Sequence, residues 1–415
     1  MLKESSGSRP LSGYRILDLT IMTAGPVGTM LLGDFGADVI KVEEIERGDL
    51  SRNIGTVFVK GESVQFMSEN RNKRSIRLDL KHPQGRELFL RLAQECDVIT
   101  ENFRPGTVDR LGIGYEDVKK VNPGIVYASV SAFGQSGPYA HLPANDPIIQ
   151  ALSGLMAMTG EPDGPPMRLG NPYPDFGGAA MLAFAVSTAL LHRERTGEGQ
   201  YLDLSLLEAA VFSTIPRDGE TLVTGKAPER LGSASPVFTP YQVFYGSDGQ
   251  AFFVACFTQK FWIGLCRALE KTEWLSNEKY ATNPSRCLHR SELVNELDQQ
   301  FRSKDSTHWL DRLGSHGVPA AKVQDLHQAL RDDPQLENAG MLVKMEHGKA
   351  GTIETLAAPV RLHRTPARYE LPPPVFGEHT YEVLKEFGVH QDEIARWLDQ
   401  GVIAGTPDCE LEPSR

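Results

Sequence analysis

No pair of cysteines in this chain has CxxC spacing. The five present, Cys96, Cys256, Cys266, Cys287 and Cys409, are odd in number and scattered. That usage excludes a disulfide framework and a zinc site, and it predicts reduced thiols in a cytoplasmic compartment. No block of Lys or Arg occurs, and the net charge is −11. Nucleic acid and membrane are therefore not expected as partners, and an anionic ligand would need a local basic patch. Met1 to Pro10 lacks both an apolar h-region and an Arg-rich amphipathic helix, so neither an export nor a transit signal is expected. The longest apolar stretch, Gly177 to Leu191, is too short for a span. It carries Ser187 and Thr188 and ends in His192-Arg193-Glu194-Arg195, which predicts a buried helix. Internal repeats and long low-complexity tracts are also lacking.

What is present is an ordinary globular composition, 40% hydrophobic over 415 residues, enough for a large core and two or three domains. The first part alternates strand and helix. Tyr14–Leu19 reads as a strand, Ala24-Gly25-Pro26 opens a helix to Gly36, and Ala37–Glu43 is a second strand. Further strands are expected at Ser75–Leu80, Cys96–Asn102 and Ile125–Val130, with a helix from Pro83 through Leu92. This βαβ alternation predicts an α/β fold with an open parallel sheet. A strand at Tyr201–Ser205 and a helix from Leu206 follow. The Gly, Ser, Ala and Pro-rich segment Lys226–Pro240 reads as a linker or active-site loop. From Tyr241 to about Ala320 the pattern is a smaller α+β unit, with a strand at Gln250–Cys256 and helices near Phe261–Leu269, Arg290–Phe301 and Ser306–His316. Leu371-Pro372-Pro373-Pro374 precedes a helical piece at Thr380–Phe387.

Ala24-Gly25-Pro26-Val27-Gly28-Thr29 is not a G-x-G-x-x-G fingerprint, and Pro26 removes an N–H where a phosphate-binding turn needs one; this argues against a nicotinamide oxidoreductase. The most informative carboxylate is Asp175, in Asn171-Pro172-Tyr173-Pro174-Asp175-Phe176-Gly177-Gly178, just ahead of a small-residue helix. Backbone N–H groups at a helix start hold negative charge well. The position suits a carboxylate that attacks a carbonyl beside an oxyanion hole, for which the N–H groups of Gly177 and Gly178 are candidates. The alternative is that Asp175 caps the helix.

Several segments together resemble the class III coenzyme A transferases, the family that includes the α-methylacyl-CoA racemases. They are Leu11-Ser12-Gly13-Tyr14-Arg15-Ile16-Leu17-Asp18, Gly36-Ala37-Asp38-Val39-Ile40-Lys41-Val42-Glu43, Gly48-Asp49, Asn72-Lys73-Arg74-Ser75, Glu101-Asn102-Phe103-Arg104-Pro105-Gly106, Arg110-Leu111-Gly112, Phe133-Gly134-Gln135-Ser136-Gly137-Pro138, Asp175 and Thr196-Gly197-Glu198-Gly199-Gln200. The resemblance runs from about Pro10 to Ile403. It implies a Rossmann-like large domain with an inserted smaller α+β domain, in an interlocked homodimer. The large domain would comprise 1–225, the small domain 226–330, and 331–415 would return to the large domain.

The resemblance also implies chemistry. Asp175 would attack an acyl-CoA thioester, giving an acyl–aspartyl anhydride and then an aspartyl-CoA thioester that an acceptor carboxylate opens. Coenzyme A and its thioesters would be substrates, with no permanently bound cofactor and no metal. The positions matching family CoA contacts are Leu78, Lys81, Asn102, Phe103 and Arg110, and Thr23 matches the Gln that helps hold substrate. Glu44 stands where formyl-CoA transferase has a phosphate-contacting Arg, with Arg47 in the same loop as a substitute. Gly232-Ser233-Ala234-Ser235 replaces a tetraglycine loop. These departures argue against formate or oxalate as substrate; aromatic walls from Asn171-Pro172-Tyr173-Pro174 and Phe176, with Arg168 as a partner for a second carboxylate, point to an organic acid larger than formate, with succinyl-CoA or acetyl-CoA as donor. A racemase would need a His where Asn145 stands in Ala144-Asn145-Asp146-Pro147, and His141 lies four residues earlier. Asn cannot shuttle a proton, so a transferase is expected ahead of a racemase; a non-catalytic CoA-ester-binding protein is the further alternative.

Overall fold

The structure, a computed structural model, describes residues 9–406, and Cys409 lies outside them. The chain divides into two units. One holds the residues up to Leu155, Leu169–Pro216 and those from Asn338 onward; the other holds Met156–Arg168 and Arg217–Glu337.

The first unit is built on a seven-stranded sheet: β1 (Arg15–Asp18), β2 (Asp38–Glu43), β3 (Lys73–Leu78), β4 (Val98–Glu101), β5 (Val126–Ser131), β6 (Tyr201–Ser205) and β7 (Ile403–Ala404). The spatial order is β7-β3-β2-β1-β4-β5-β6. The first six strands are parallel, in the order of doubly wound sheets. β7 runs antiparallel on the β3 edge, Ile403 opposite Leu78. Strand order reverses between β1 and β4, and ligands of such sheets bind in the crevice beyond the carboxyl ends at that point.

Side-chain alternation divides the core. Ile16, Val39, Val98 and Val126 face one layer; Leu17, Ile40, Ile99 and Tyr127 face the other. The first layer is covered by helices Ala24–Asp34, Asp146–Leu152, Tyr173–Thr196 and Leu206–Phe212, the second by Pro83–Ala93 and the late helices Thr380–Glu386 and Gln391–Asp399.

A set of buried charges runs through this apolar sheet. Lys73 Nζ meets Asp18 Oδ2 at 2.9 Å, Lys41 Nζ meets Asp49 Oδ2 at 2.8 Å, and Arg71 and Arg52 form two-pronged pairs with Asp34 and Glu43. Burial alone would raise the Asp18 carboxyl; Lys73 and Lys41 outweigh it and hold it well below the usual carboxylate range. Thr20, Thr29 and Thr100 hydroxyls fill the remaining lone pairs of Asp18.

The second unit has a three-stranded antiparallel sheet, Ala320–Lys322, Ala251–Ala255 and Tyr241–Tyr245 in that order. Helices Gln259–Ala268, Arg290–Phe301 and Ser306–Ser315 enclose an aromatic core of Phe244, Phe252, Trp262, Phe301 and Trp309. Gly232-Ser233-Ala234-Ser235 lies here in irregular backbone.

Three sequence readings need correction. The strand expected at Ser75–Leu80 lies two residues earlier, at Lys73–Leu78. Lys73 and Arg74 enter the ladder because carboxylates neutralise them, while Asp79 turns the chain by accepting the Lys81 N–H. The apolar stretch at Gly177–Leu191 forms a helix buried on one face only; Phe184 is 67% exposed and Leu191 51%. The strand β7, the helix Gln391–Asp399 and the hairpin of Leu342–His347 with Gly351–Leu356 had no sequence expectation.

Removing one partner of a buried pair strands the other. Lys73→Met should cost about 3–5 kcal/mol in urea unfolding. Adding Asp18→Asn to it should return at least about 1 kcal/mol, which a double-mutant cycle measures.

Candidate functional site

The crevice is lined by the segment after β1. Ile21 donates its N–H to Asn102 Oδ1 at 2.8 Å, and Asn102 Nδ2 donates back to Ile21 O at 2.8 Å. Asn102, just past β4, thus fastens the two loops across the reversal point. Met22 has φ +67, unusual for a side chain of its size, and its N–H is held by Asp49 Oδ1 at 3.0 Å. Asp49 is itself held by Lys41. Backbone strain of this kind persists only where neighbours over-determine it.

Beyond the ends of β1, β2 and β3 lies a cavity of about 680 Å³. Leu78, Lys81 and Phe103 line it, with Ile45, Arg47 and Gly401. Phe103 is set by its N–H, which donates to the buried Glu101 Oε2 at 2.8 Å. Burial pushes the Glu101 carboxyl up to about 7. A neighbouring cleft of about 280 Å³ is walled by Lys81, Arg86 and Arg110. Glu44 also lines the cavity, and its carboxylate accepts the N–H groups of Glu46 and Arg47 and shapes their loop. The structure therefore brings Leu78, Lys81 and Phe103 together, sets Arg110 beside them, and uses Asn102 to fasten the crevice.

Thr23 and Asp175 stand at helix starts of the same unit. Asp175 occupies the third position of helix Tyr173–Thr196, whose cap is Pro172. The capping alternative for Asp175 is thereby corrected: Pro174 fixes the first turn and leaves the Asp175 side chain free of that duty. Gly178 lies against the Leu206 side chain, where a Cβ would come within 2.3 Å of Cδ2, and 3.9 Å from Ala24 Cβ. Ala24, the residue after Thr23, thus lies beside the second turn of the Asp175 helix. A Cβ on Gly177 would meet nothing within 4 Å, so that side of the turn is open to a ligand.

Asp175 has a carboxylate neighbour. Its N–H donates to Asp146 Oδ2 at 3.3 Å, and Asp146 Oδ1 accepts from Gln150 Nε2 at 2.6 Å. Gln150 Oε1 in turn accepts the Leu169 N–H at 2.8 Å. Burial first, and then the Asp146 charge, push the Asp175 carboxyl up from 3.8 to about 7. Such a shift marks a group whose ionisation is made unfavourable by its surroundings.

The model for CoA-transferase family III matches residues 11–380. The chain belongs to this family. It is 38% identical over 397 residues to the succinyl-CoA:glutarate CoA-transferase of Mus musculus, covering 95% of this chain and 90% of that one. It is 36% identical to the acetyl-CoA:oxalate CoA-transferase of Acetobacter aceti, covering 91% of this chain and 96% of that one. Among solved structures, a CAIB/BAIF family protein from Brucella suis superposes with a TM-score of 0.82 at 34% identity, over 92% of this chain and 100% of that one. The protein is a class III CoA-transferase, an enzyme that transfers CoA.

Three residues of this transferase escaped the sequence reading. Asp146, next to Asn145, carries one local signal, an Asp before Pro at a helix start. Arg86 reads as one helix charge among several until the fold sets it beside Lys81 and Arg110. Glu69, buried and bonded to Thr23, had no signal in its local pattern. Arg168 is exposed and falls in the second unit.

The raised Asp175 carboxyl has a consequence for stability. A group bound more tightly to its proton in the folded state adds stability below its ordinary range and loses it as pH rises through the folded value. Wild type should therefore lose stability between about pH 4 and 7 through this group. Asp175→Asn should raise Tm by about 2 °C or more at pH 8 and by less at pH 5, read by thermal melts.

Proposed function

We propose that the enzyme moves CoA from an acyl-CoA donor to an organic acid larger than formate, with Asp175 as the nucleophile. The observation that carries this reading is the Asp175 carboxyl itself: partly buried, beside Asp146, and next to an open glycine face. In its ionised form Asp175 attacks the thioester carbonyl, the C–S bond breaks, and CoA leaves as thiolate. The thiolate attacks the Asp175 carbonyl of the anhydride, releasing the donor acid and leaving an aspartyl-CoA thioester. The acceptor carboxylate attacks this thioester and expels the thiolate, which then takes the new acyl group and restores Asp175. Each step exchanges one activated acyl bond for another, so the thioester energy is kept. Gly177 and Gly178, expected as oxyanion donors, fall at the fifth and sixth positions of the helix, past its four unpaired N–H groups, so what they contribute is the open face at Gly177 and the close approach at Gly178. Desolvation makes the carboxylate more nucleophilic once ionised, a reason for a site that resists ionisation.

CoA is proposed to lie with its nucleotide at Lys81, Arg110, Phe103 and Leu78, with Asn102 holding the crevice and Thr23 at the acyl end. Two relatives named for succinyl-CoA:glutarate and acetyl-CoA:oxalate transfer support succinyl-CoA or acetyl-CoA as donor. The racemase reading is disfavoured because the group next to Asp175 is a carboxylate, and Asn145 and His141 are exposed residues of the preceding loop. We assign the Rossmann-like large domain to the first unit and the small domain to the second, which takes in Met156–Arg168 and Arg217–Glu337 and so departs from the expected bounds of 226–330. An interlocked homodimer is proposed, supported by an uncovered apolar face that includes Phe184, Leu191, Phe212 and Ile215. Cytoplasmic placement and the lack of a membrane partner complete the reading.

Asp175→Ala should abolish exchange, by at least about 10⁴-fold in kcat, while CoA still binds. Hydroxylamine trapping of wild type with an acyl-CoA should yield a hydroxamate on Asp175. Binding of CoA without any adduct would instead mark a non-catalytic binder. Since attack needs the ionised carboxyl, the rate should rise with pH through about 7, the value to which burial brings Asp175.

A further inference from the structure

Glu69 ends the helix Val64–Glu69 and is 8% exposed. Its Oε1 lies 2.9 Å from Thr23 Oγ1. Its Oε2 is buried without a hydrogen-bond partner among the described residues. A buried oxygen of this kind costs desolvation unless the group is neutral. Thr23 is unusual as well. It stands at the cap of helix Ala24–Asp34, yet its hydroxyl makes no cap bond. The reason is local: Pro26 removes the third N–H that a capping hydroxyl could accept, and Thr23 has φ −113 and ψ −57 where a capping residue is extended. The hydroxyl is thus free to serve Glu69 on one side and a ligand on the other.

We propose that Glu69 is a positioning residue for the acyl substrate, whose protonation state decides whether Thr23 offers that substrate a hydrogen-bond donor or an acceptor. The inference rests on the reading above, in which Thr23 stands at the acyl end. Ionised Glu69 can only accept, so it takes the Thr23 proton and leaves lone pairs toward the ligand. Neutral Glu69 can donate from Oε1 to Thr23, whose own proton then turns to a substrate oxygen. One O···O distance serves both arrangements. A distal carboxylate on the acyl chain is favoured by the donor and opposed by the acceptor.

The charged surroundings keep the two states close. Burial pushes the Glu69 carboxyl up to about 7, the Thr23 bond and Lys73 and Lys41 draw it down, and Asp49 adds to the rise. Arg52, on the turn Leu50–Arg52 packed against the same helix, is committed to Glu43.

The test uses the full chain carrying Asp175→Asn, which prevents turnover and removes one of the two other carboxyls raised to about 7; the second, Glu101, adjoins the nucleotide cavity and bears on all three ligands alike, so it cancels in their ratio. Calorimetry would give affinities for CoA, succinyl-CoA and butyryl-CoA at about pH 6 and about pH 8.5, on either side of the Glu69 value. The preference for succinyl-CoA over butyryl-CoA should fall about tenfold across that range, the worth of one bond to a charged group. Adding Glu69→Gln, a permanent neutral donor, should hold the preference at its low-pH value. Adding Thr23→Val should remove the change with pH. The same pH change with Gln or with Val, or none in the parent, would overturn the role of Glu69 while leaving CoA binding intact. Failure to bind CoA itself would overturn the reading of the site, and this inference with it.

Discussion

Lys73 reaching past β2 to Asp18 is the contact on which the crevice depends. An open parallel sheet covered on both faces has no water with which to satisfy a polar group at its centre. Asp18 ends β1 at the reversal point, so the same carboxylate that Lys73 neutralises also accepts the Thr20 N–H and hydroxyl. From Thr20 the chain runs directly to Ile21, Met22 and Thr23, each fastened by a different partner: Asn102, Asp49 and Glu69. The shape of the ligand crevice is thus an extension of charge pairing within the sheet. Arrangements like this are weak sources of stability and strong sources of geometry, because a misplaced member leaves a buried charge unpaired.

Charge is also sorted along the site. Lys81, Arg86 and Arg110 collect at one cleft, where a polyanion such as a CoA nucleotide needs them. At Asp175 the neighbouring charge is instead of its own sign, from Asp146. In a molecule with net charge −11, a cleft walled by three cations is a local reversal of the overall field. The acid-rich end does opposite work, keeping a carboxyl reactive by making its charge costly to hold. That arrangement sacrifices folding stability for chemistry, as active sites commonly do.

Much of the fold was legible. The alternation of Ile16 with Leu17 and of Val39 with Ile40 is a period-two signal, and the intervening helical segments impose parallel strands. Asp175 was legible from Pro174 and Gly177-Gly178 around it. What escaped was anything that depends on residues distant in sequence. Asp146 is a site residue only because helix Asp146–Leu152 packs beside the Asp175 turn, and Glu69 only because Thr23 finds it. The two-residue shift of β3 has the same origin: Lys73 and Arg74 look like surface charges until Asp18 and Asp38 are beside them. The strand Ile403–Ala404 is too short to carry a pattern and is defined by pairing with Leu78 and Arg77.

That last pairing has a consequence for how the chain comes into being. Leu78 and Gly401 both line the cavity beyond β3, and the Asp79 N–H bonds to Val402 O at 2.9 Å. Over three hundred residues separate the two sides of that wall. Loop closure over such a span is slow relative to local helix and hairpin formation. During folding the β3 edge therefore stays bare and the cavity beyond it unfinished until the segment around Ile403 docks. An unpaired strand edge invites other chains, so the interval before closure is when the chain is most exposed to mispairing.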